Sequence, residues 1–255
     1  YEIASCLMGS EMCIRDSRGI EPGMVAIVEQ ALLDRDSPNL RSRAYDSFTR
    51  HLLARDLRAG QFISQRELVE MTQLPLAAIR EMIPRLEAEG LVRTVPNRGM
   101  QIPHVDLGLI REAFQLRLFL EREAVASFTR TASDETIAAL ESEHQAIIDE
   151  CRAAAGSGGI TAAHVQHAQD IDWSLHTSII NALNNSIIAD IYRVNSIKIR
   201  LIKQEQTRLN ETVLLPTMEE HLAVIAAIRS RDPQRAADAM GEHVNSARDR
   251  AMGLR

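Results

Sequence analysis

No apolar run in this sequence approaches the roughly 20 residues that a membrane-crossing helix needs, so a membrane segment is not expected. Aromatic residues are scarce, at 4% against 45% for all hydrophobic types. Sheets draw heavily on Val, Tyr and Phe, whereas Ala, Leu, Ile, Arg and Glu abound here, a balance that favours helices packed on helices. Cysteine is scarcer still: Cys6 and Cys13 lie in an odd N-terminal stretch, and only Cys151 lies in the body. Cysteines so few and so placed exclude a disulfide framework and a thiolate metal site, and they suit a reducing cytoplasm. What is left is a mainly α-helical cytoplasmic protein whose 255 residues allow one large domain or two ordinary ones.

The first line, "YEIASCLMGSEMCIRDSRG", has neither the layout of a signal peptide nor a helical or strand period. Read back into codons, "EMCIRDS" fits GAG ATG TGT ATA AGA GAC AG, the mosaic-end adapter of transposon-based sequencing libraries. Residues 1–17 are therefore expected to be translated adapter, with Met24 one possible natural start, and 18–40 to be a flexible arm.

The net charge of −6 conceals a division. Residues 41–104 carry ten Arg against seven acids, a balance of +3, whereas 105–255 carry sixteen Lys or Arg against twenty-one acids, a balance of −5. A basic module joined to an acidic one points to local contact with a polyanion.

Within the basic module, "RAYDSFTRHLLARDL" puts Ala44, Phe48, Leu52 and Leu53 on one helical face, and Gly60 ends the pattern. Ser64 followed by Glu67 has capping-box spacing and opens a second helix; after a break at Gln73–Pro75, Ile79, Ile83 and Leu86 mark a third, closed by Gly90. Alternation around "PNRG" predicts a β-hairpin. Helix, helix-turn-helix and hairpin make a winged helix; a small α+β packing unit without a DNA role fits the same pattern.

The run "SQRELVEMTQLPLAAIREMIPRLEAEGLVRTVPNRGMQI" resembles the DNA-binding domain of GntR-family bacterial transcription regulators. By position, the resemblance implies that Arg66, Arg80 and the wing residues Arg98 and Gly99 meet double-stranded operator DNA. Arg can grip phosphate or fork onto guanine, and Gly permits close backbone approach. "PLAA" departs from the family pattern, since Pro75 and Leu76 replace a hydroxyl residue and a base-contacting Arg.

From 105 onward helix signals are nearly continuous, with helices expected near 107–130, 133–154, 161–183, 186–209, 214–231 and 233–252, an antiparallel bundle of six or seven. In "DWSLH", Asp172 and His176 stack on one helical face, a spacing that serves a plain hydrogen bond as well as a metal. His221 lies eleven residues before Asp232 and His243 eleven after it. If Asp232-Pro233 turns a helical hairpin, both sit about 16 Å from the turn and at one level. Three imidazoles and a carboxylate suit Zn, Ni, Mn or Fe and leave positions open for a ligand. His164 and His167 read as solvated or outer residues, and His51, His104 and His144 as surface.

"FQLRLFLEREAV", "DWSLHTSIINALNN" and "MEEHLAVIAAIRSRDPQRAADAMGEHV" resemble the FadR-type C-terminal domain called FCD. That likeness implies a divalent ion held by Asp172, His176, His221 and His243, with Arg117 facing the pocket to pair with a small organic-acid effector. Spacing alone equally allows Arg117 a plain ion pair with Glu121. Asn195 is a further candidate for the pocket wall. The reading that results is a homodimeric, effector-controlled regulator presenting two winged helices to a palindromic operator. The alternative, a metal-dependent enzyme activating water, lacks an evident general base and leaves the winged helix unexplained.

Overall fold

The computed structural model describes residues 40–206 and 211–254. The expected adapter segment 1–17 and arm 18–39 lie outside them; Leu40, assigned to the arm, already opens the first helix. That helix, α1, runs Leu40–Leu53, three residues earlier than its apolar face indicates, because its first turn is an exposed Leu40 followed by the polar Arg-Ser-Arg.

Strand β1 (Phe62–Ile63) precedes α2 (Gln65–Thr72) and α3 (Leu76–Ala88). Ser64 caps α2 with the reciprocal Glu67 contact, and Gln73 leaves it in the left-handed region at φ 57°. Pro75 precedes α3 without a side-chain cap, so the backbone N–H groups of that first turn keep no side-chain acceptor. Strands β2 (Arg93–Val95) and β3 (Gly99–Gln101) form the expected hairpin. The hairpin gains an unexpected third strand, with β1 pairing β3 through Phe62 opposite Gln101 and Ile63 opposite Met100. Two residues are too few to show alternation in a sequence.

The acidic module is α4 (Leu107–Thr131), α5 (Asp134–Ser157), α6 (Ala162–Asn181), α7 (Ser186–Gln206), α8 (Glu211–Arg229) and α9 (Pro233–Ala251). Four of these helices open on a side-chain cap: Asp106, Ser133, Thr161 and Asp232 all accept from first-turn amides. The α8–α9 hairpin turns at Asp232-Pro233, and α9 packs most closely along α4. Ile110, Phe114, Leu175, Ile179, Val224, Ile228 and Met240 fill the bundle core.

One relationship was not legible from helix patterns. The core of the winged helix, built on Phe48, Leu52, Ile79, Met82 and Leu86, is completed by Ile197 and Leu201 of α7. The two modules therefore share apolar burial rather than hanging on a linker, and Gln204 of α7 also donates to the Leu53 carbonyl at 2.6 Å. No helix among the described residues is long and apolar enough to cross a membrane.

Candidate metal centre

Helix α6 carries Asp172 and His176 one turn apart, α8 carries His221 and α9 carries His243, all fully or almost fully buried. Their ligand atoms lie within 4.8 Å of one another. His221 Nε2 and His243 Nε2 are 3.3 Å apart, as are His243 Nε2 and His176 Nε2, and Asp172 Oδ1 is 3.4 Å from His221 Nε2. The hairpin geometry thus brings the two later histidines level and against the α6 pair.

The opposite face of each imidazole decides what these nitrogens are. His176 Nδ1 is 2.8 Å from Glu121 Oε2, His243 Nδ1 is 2.8 Å from Glu220 Oε2, and His221 Nδ1 is 3.2 Å from His144 Nε2. With acceptors behind them, the Nδ1 atoms of His243 and His221 hold the protons; His176 Nδ1 lies close to Glu121 Oε2 without hydrogen-bond alignment, while its Nε2 accepts from Arg117. Asp172 Oδ1, turned into the same space, has no hydrogen-bond partner among the described residues. The Nε2 atoms of His221 and His243 and the Asp172 oxygen converge with no donor between them, while the Arg117 guanidinium stands on His176 Nε2; three imidazole nitrogens and a carboxylate oxygen so close together fit a divalent ion.

Ionisation agrees. Burial pushes His176 down to about 4, against the raising effect of Glu121. Burial, then the neighbouring His221, holds His243 well below its ordinary value. Burial alone would raise the Asp172 carboxyl, but Lys203, with Nζ 2.9 Å from Oδ2, and the adjoining histidines hold it well below. His176, His243 and Asp172 are thus held toward the deprotonated form that metal ligation requires.

Arg117 makes the i,i+4 ion pair that spacing allows and also reaches the histidine cluster. Its Nε donates to Glu121 Oε1 at 2.7 Å, the i,i+4 pair, while Nη2 donates to His176 Nε2 at 2.7 Å. Nη1 is buried without a partner. Glu121 carries more than spacing suggested: Oε1 also accepts from Tyr192 of α7 at 2.7 Å, and Oε2 lies 2.8 Å from His176 Nδ1 without hydrogen-bond alignment. Asn195 is placed elsewhere, its amide donating to the Ala113 carbonyl at 3.0 Å while the residue borders a surface cavity with Arg85 and Lys198.

His144 corrects the surface reading. It is fully buried, with Nδ1 2.7 Å from the Leu140 carbonyl oxygen and Nε2 on His221. The signal was present, because Ile137, Leu140, His144, Ile147 and Cys151 form one buried helical stripe. His164 instead caps α6 with Thr161, and His167 lies exposed 3.7 Å from Glu150. His51 pairs with Asp56, and His104 meets Gln101.

On the winged helix, Arg66 is exposed and paired with Glu70 at 3.0 Å. Arg80 donates to Gln65 at 3.1 Å, tying α3 to the start of α2, and Arg98 lies over the Phe62 ring at 4.0 Å. Gly99 has φ 88°, and a Cβ there would stand 2.8 Å from the Ile63 carbonyl oxygen. Its lack of a side chain is thus demanded by the sheet itself. Leu76, at the first position of α3, is among the exposed large apolar residues.

A winged helix-turn-helix seated on a helical bundle with a buried His/Asp cluster has the plan of a DNA-binding transcriptional regulator with a second, helical domain. Residues 40–102 match the bacterial regulatory proteins of the gntR family, and residues 112–246 match the FCD domain. The chain belongs to the GntR family of transcriptional regulators, in its FCD-bearing form. It is 24% identical over 200 residues to the Nta operon transcriptional regulator of Aminobacter aminovorans, covering 77% of this chain and 87% of that one. In fold it is similar to E. coli McbR/YncC, with a TM-score of 0.66 and 17% identity over 85% of this chain and 99% of that one. A GntR transcriptional regulator from Rhodococcus sp. RHA1 aligns with a TM-score of 0.65 and 17% identity over 84% of this chain and 98% of that one. These families and relatives are transcriptional regulators, and the enzyme alternative falls with that finding.

Proposed function

We propose that this protein is a homodimeric cytoplasmic repressor or activator that binds double-stranded operator DNA and responds to a small carboxylate effector. The effector sits beside a divalent ion, Zn, Ni, Mn or Fe, held by Asp172, His176, His221 and His243. The observation that carries the reading is the convergence of three imidazole nitrogens on the unpartnered Asp172 Oδ1. The ion, when bound, supplies a positive charge with open positions for a carboxylate. Arg117 orients that carboxylate through its unpartnered Nη1.

On the DNA side, Arg66, Arg80 and Arg98 contribute phosphate and base contacts, and Gly99 keeps the wing closed on β1. Helix α7 joins the two ends: Tyr192 and Lys203 reach the buried cluster, while Ile197, Leu201 and Gln204 hold the winged helix. An effector controls the operator only if it binds one arrangement of this joint better than another.

Metal analysis of the purified chain, with gel shifts on its own upstream DNA, tests the reading. One equivalent of metal is expected in the wild type and little in His176→Ala. Arg80→Ala should weaken DNA binding while leaving metal content intact. A wild type that fails to bind that DNA at low salt sinks the regulator half; one that binds no divalent ion sinks the sensory half.

A further inference from the structure

A cavity of about 580 Å³ lies where the end of α1 faces α6 and α7, with Leu53 and Arg55 on the winged-helix side and Trp173, Arg200 and Lys203 on the bundle side. Its size suits a small organic molecule. Lys203 is committed to Asp172, and Asp170, the carboxylate on this wall, accepts from Gln166 at 3.0 Å. Arg200 is different. Its guanidinium lies 4.4 Å from the Trp173 ring, its Nε is buried with no hydrogen-bond partner, and it has no ion pair among the described residues. Burial lowers its pKa, with Asp172, Tyr192 and Asp170 only partly offsetting the effect. A guanidinium desolvated without an anion costs free energy that a bound anion returns.

Arg55 stands on the opposite wall, exposed and in the left-handed region at φ 70°. It likewise has no ion pair among the described residues. That conformation closes α1, with Asp56 N–H donating to the His51 carbonyl at 3.0 Å, and it fixes where Arg55 leaves the helix. The two cations belong to different modules, and an aromatic face lies beside one of them.

We propose that this cavity is a second ligand site, separate from the metal centre, for a small organic anion. The anionic group sits on Arg200 with Arg55 completing its coordination, and the apolar body lies against Trp173 and Leu53. Because Arg55 belongs to the winged helix and Arg200 to α7, an occupant bridges the modules and favours their docked arrangement. The site requires no metal and stands apart from the reading of the His/Asp cluster.

Trp173 is the chain's single tryptophan, so its emission reports on this wall directly. The full-length protein is titrated with benzoate, succinate and inorganic phosphate in turn. At least one is expected to give a saturable change in emission, retained in His176→Ala, whose metal site is disabled. Arg200→Gln should weaken that binding about ten- to hundredfold, the scale of lost charge-assisted hydrogen bonds. Arg55→Ala, an exposed and unpaired residue, should weaken it roughly two- to fivefold without altering the melting temperature. Absence of a saturable response to all three anions overturns the proposal. So does a response that survives Arg200→Gln but disappears in His176→Ala, which would assign the anion to the metal centre.

Discussion

His144 Nε2 lies 3.2 Å from His221 Nδ1, and His144 Nδ1 lies 2.7 Å from the Leu140 carbonyl oxygen. The chain of contacts fixes both tautomers: His144 gives its proton to the backbone and accepts from His221, which leaves His221 Nε2 bare. Removing such a support typically costs 10- to 100-fold in metal affinity. His144→Ala should therefore weaken zinc binding by about that factor in a chelator competition, and His144→Gln, whose amide can accept from His221, should recover part of it. Unchanged affinity in His144→Ala would reduce the residue to core filling.

Lys203 is the cation nearest the cluster from outside, 19% exposed at its side chain and 2.9 Å from the fully buried Asp172. Breaking a buried ion pair costs about 3–5 kcal/mol, and the residual exposure reduces this to roughly 2–3 kcal/mol here. Lys203→Met should destabilise the metal-free protein by that amount in urea denaturation. Saturating zinc should shrink the deficit, since the ion provides Asp172 with another positive neighbour. An equal loss with and without zinc would show that Asp172 does not ligate.

Helix α7 meets the winged helix through charge as well as apolar packing. Arg193 donates to the Tyr45 hydroxyl at 2.7 Å, and that hydroxyl donates to Glu89 at 2.5 Å. Burial, and then the bond to Glu89, push Tyr45 up to about 12, so it stays a donor at every working pH. Arg193→Ala should leave operator binding of the metal-free protein within about threefold, while reducing the zinc-induced change in operator affinity, since couplings of this kind amount to about 0.5–3 kcal/mol. A zinc response as large as the wild type's would remove this joint from the transmission route.

How far the sequence discloses the site depends on whether a helix converts spacing into height. Asp172 and His176 share a face by their separation alone, and His221 and His243 become level once the turn at Asp232-Pro233 is recognised. His144 resists the same treatment because its partner is 77 residues away on another helix. Glu121 is visible as Arg117's neighbour, yet its second oxygen lies beside His176, on a different helix. Ile197 and Leu201 are legible as buried residues, but helical periodicity carries no information about which module covers them. Strand β1 is held by partners almost forty residues downstream and has no pattern of its own.

Gly99 links the wing to that short strand. Alanine there must adopt φ 88° and bring its Cβ within 2.8 Å of a backbone oxygen that cannot move without breaking the β1–β3 pairing. The expected cost is about 1–3 kcal/mol in the winged helix. Gly99→Ala should weaken operator binding at 37 °C with zinc stoichiometry unchanged. Undiminished DNA affinity and melting temperature would mean that the wing relaxes freely.

The converging nitrogens also predict how stability depends on pH. Burial pushes His176 and His144 down to about 4 and holds His243 well below the ordinary value of 6.5. In the unfolded chain each of these binds a proton near 6.5, whereas in the fold His176 and His144 stay neutral until about pH 4 and His243 is likewise held well below its ordinary value. As pH falls through that window the unfolded state therefore gains protons that the native state refuses. Stability is fully present above 6.5 and is lost by up to about 1.4 kcal/mol per pH unit for each histidine. Below about pH 4 the depressed carboxyls of Asp172 and Glu121 act in the same direction. Urea midpoints of the metal-free protein should fall steadily from pH 7 to pH 4.5, and His144→Gln should show a slope shallower by one proton. A flat profile would mean that these imidazoles carry charge in the folded state, and the Nε2 lone pairs on which metal binding rests would be lost with it.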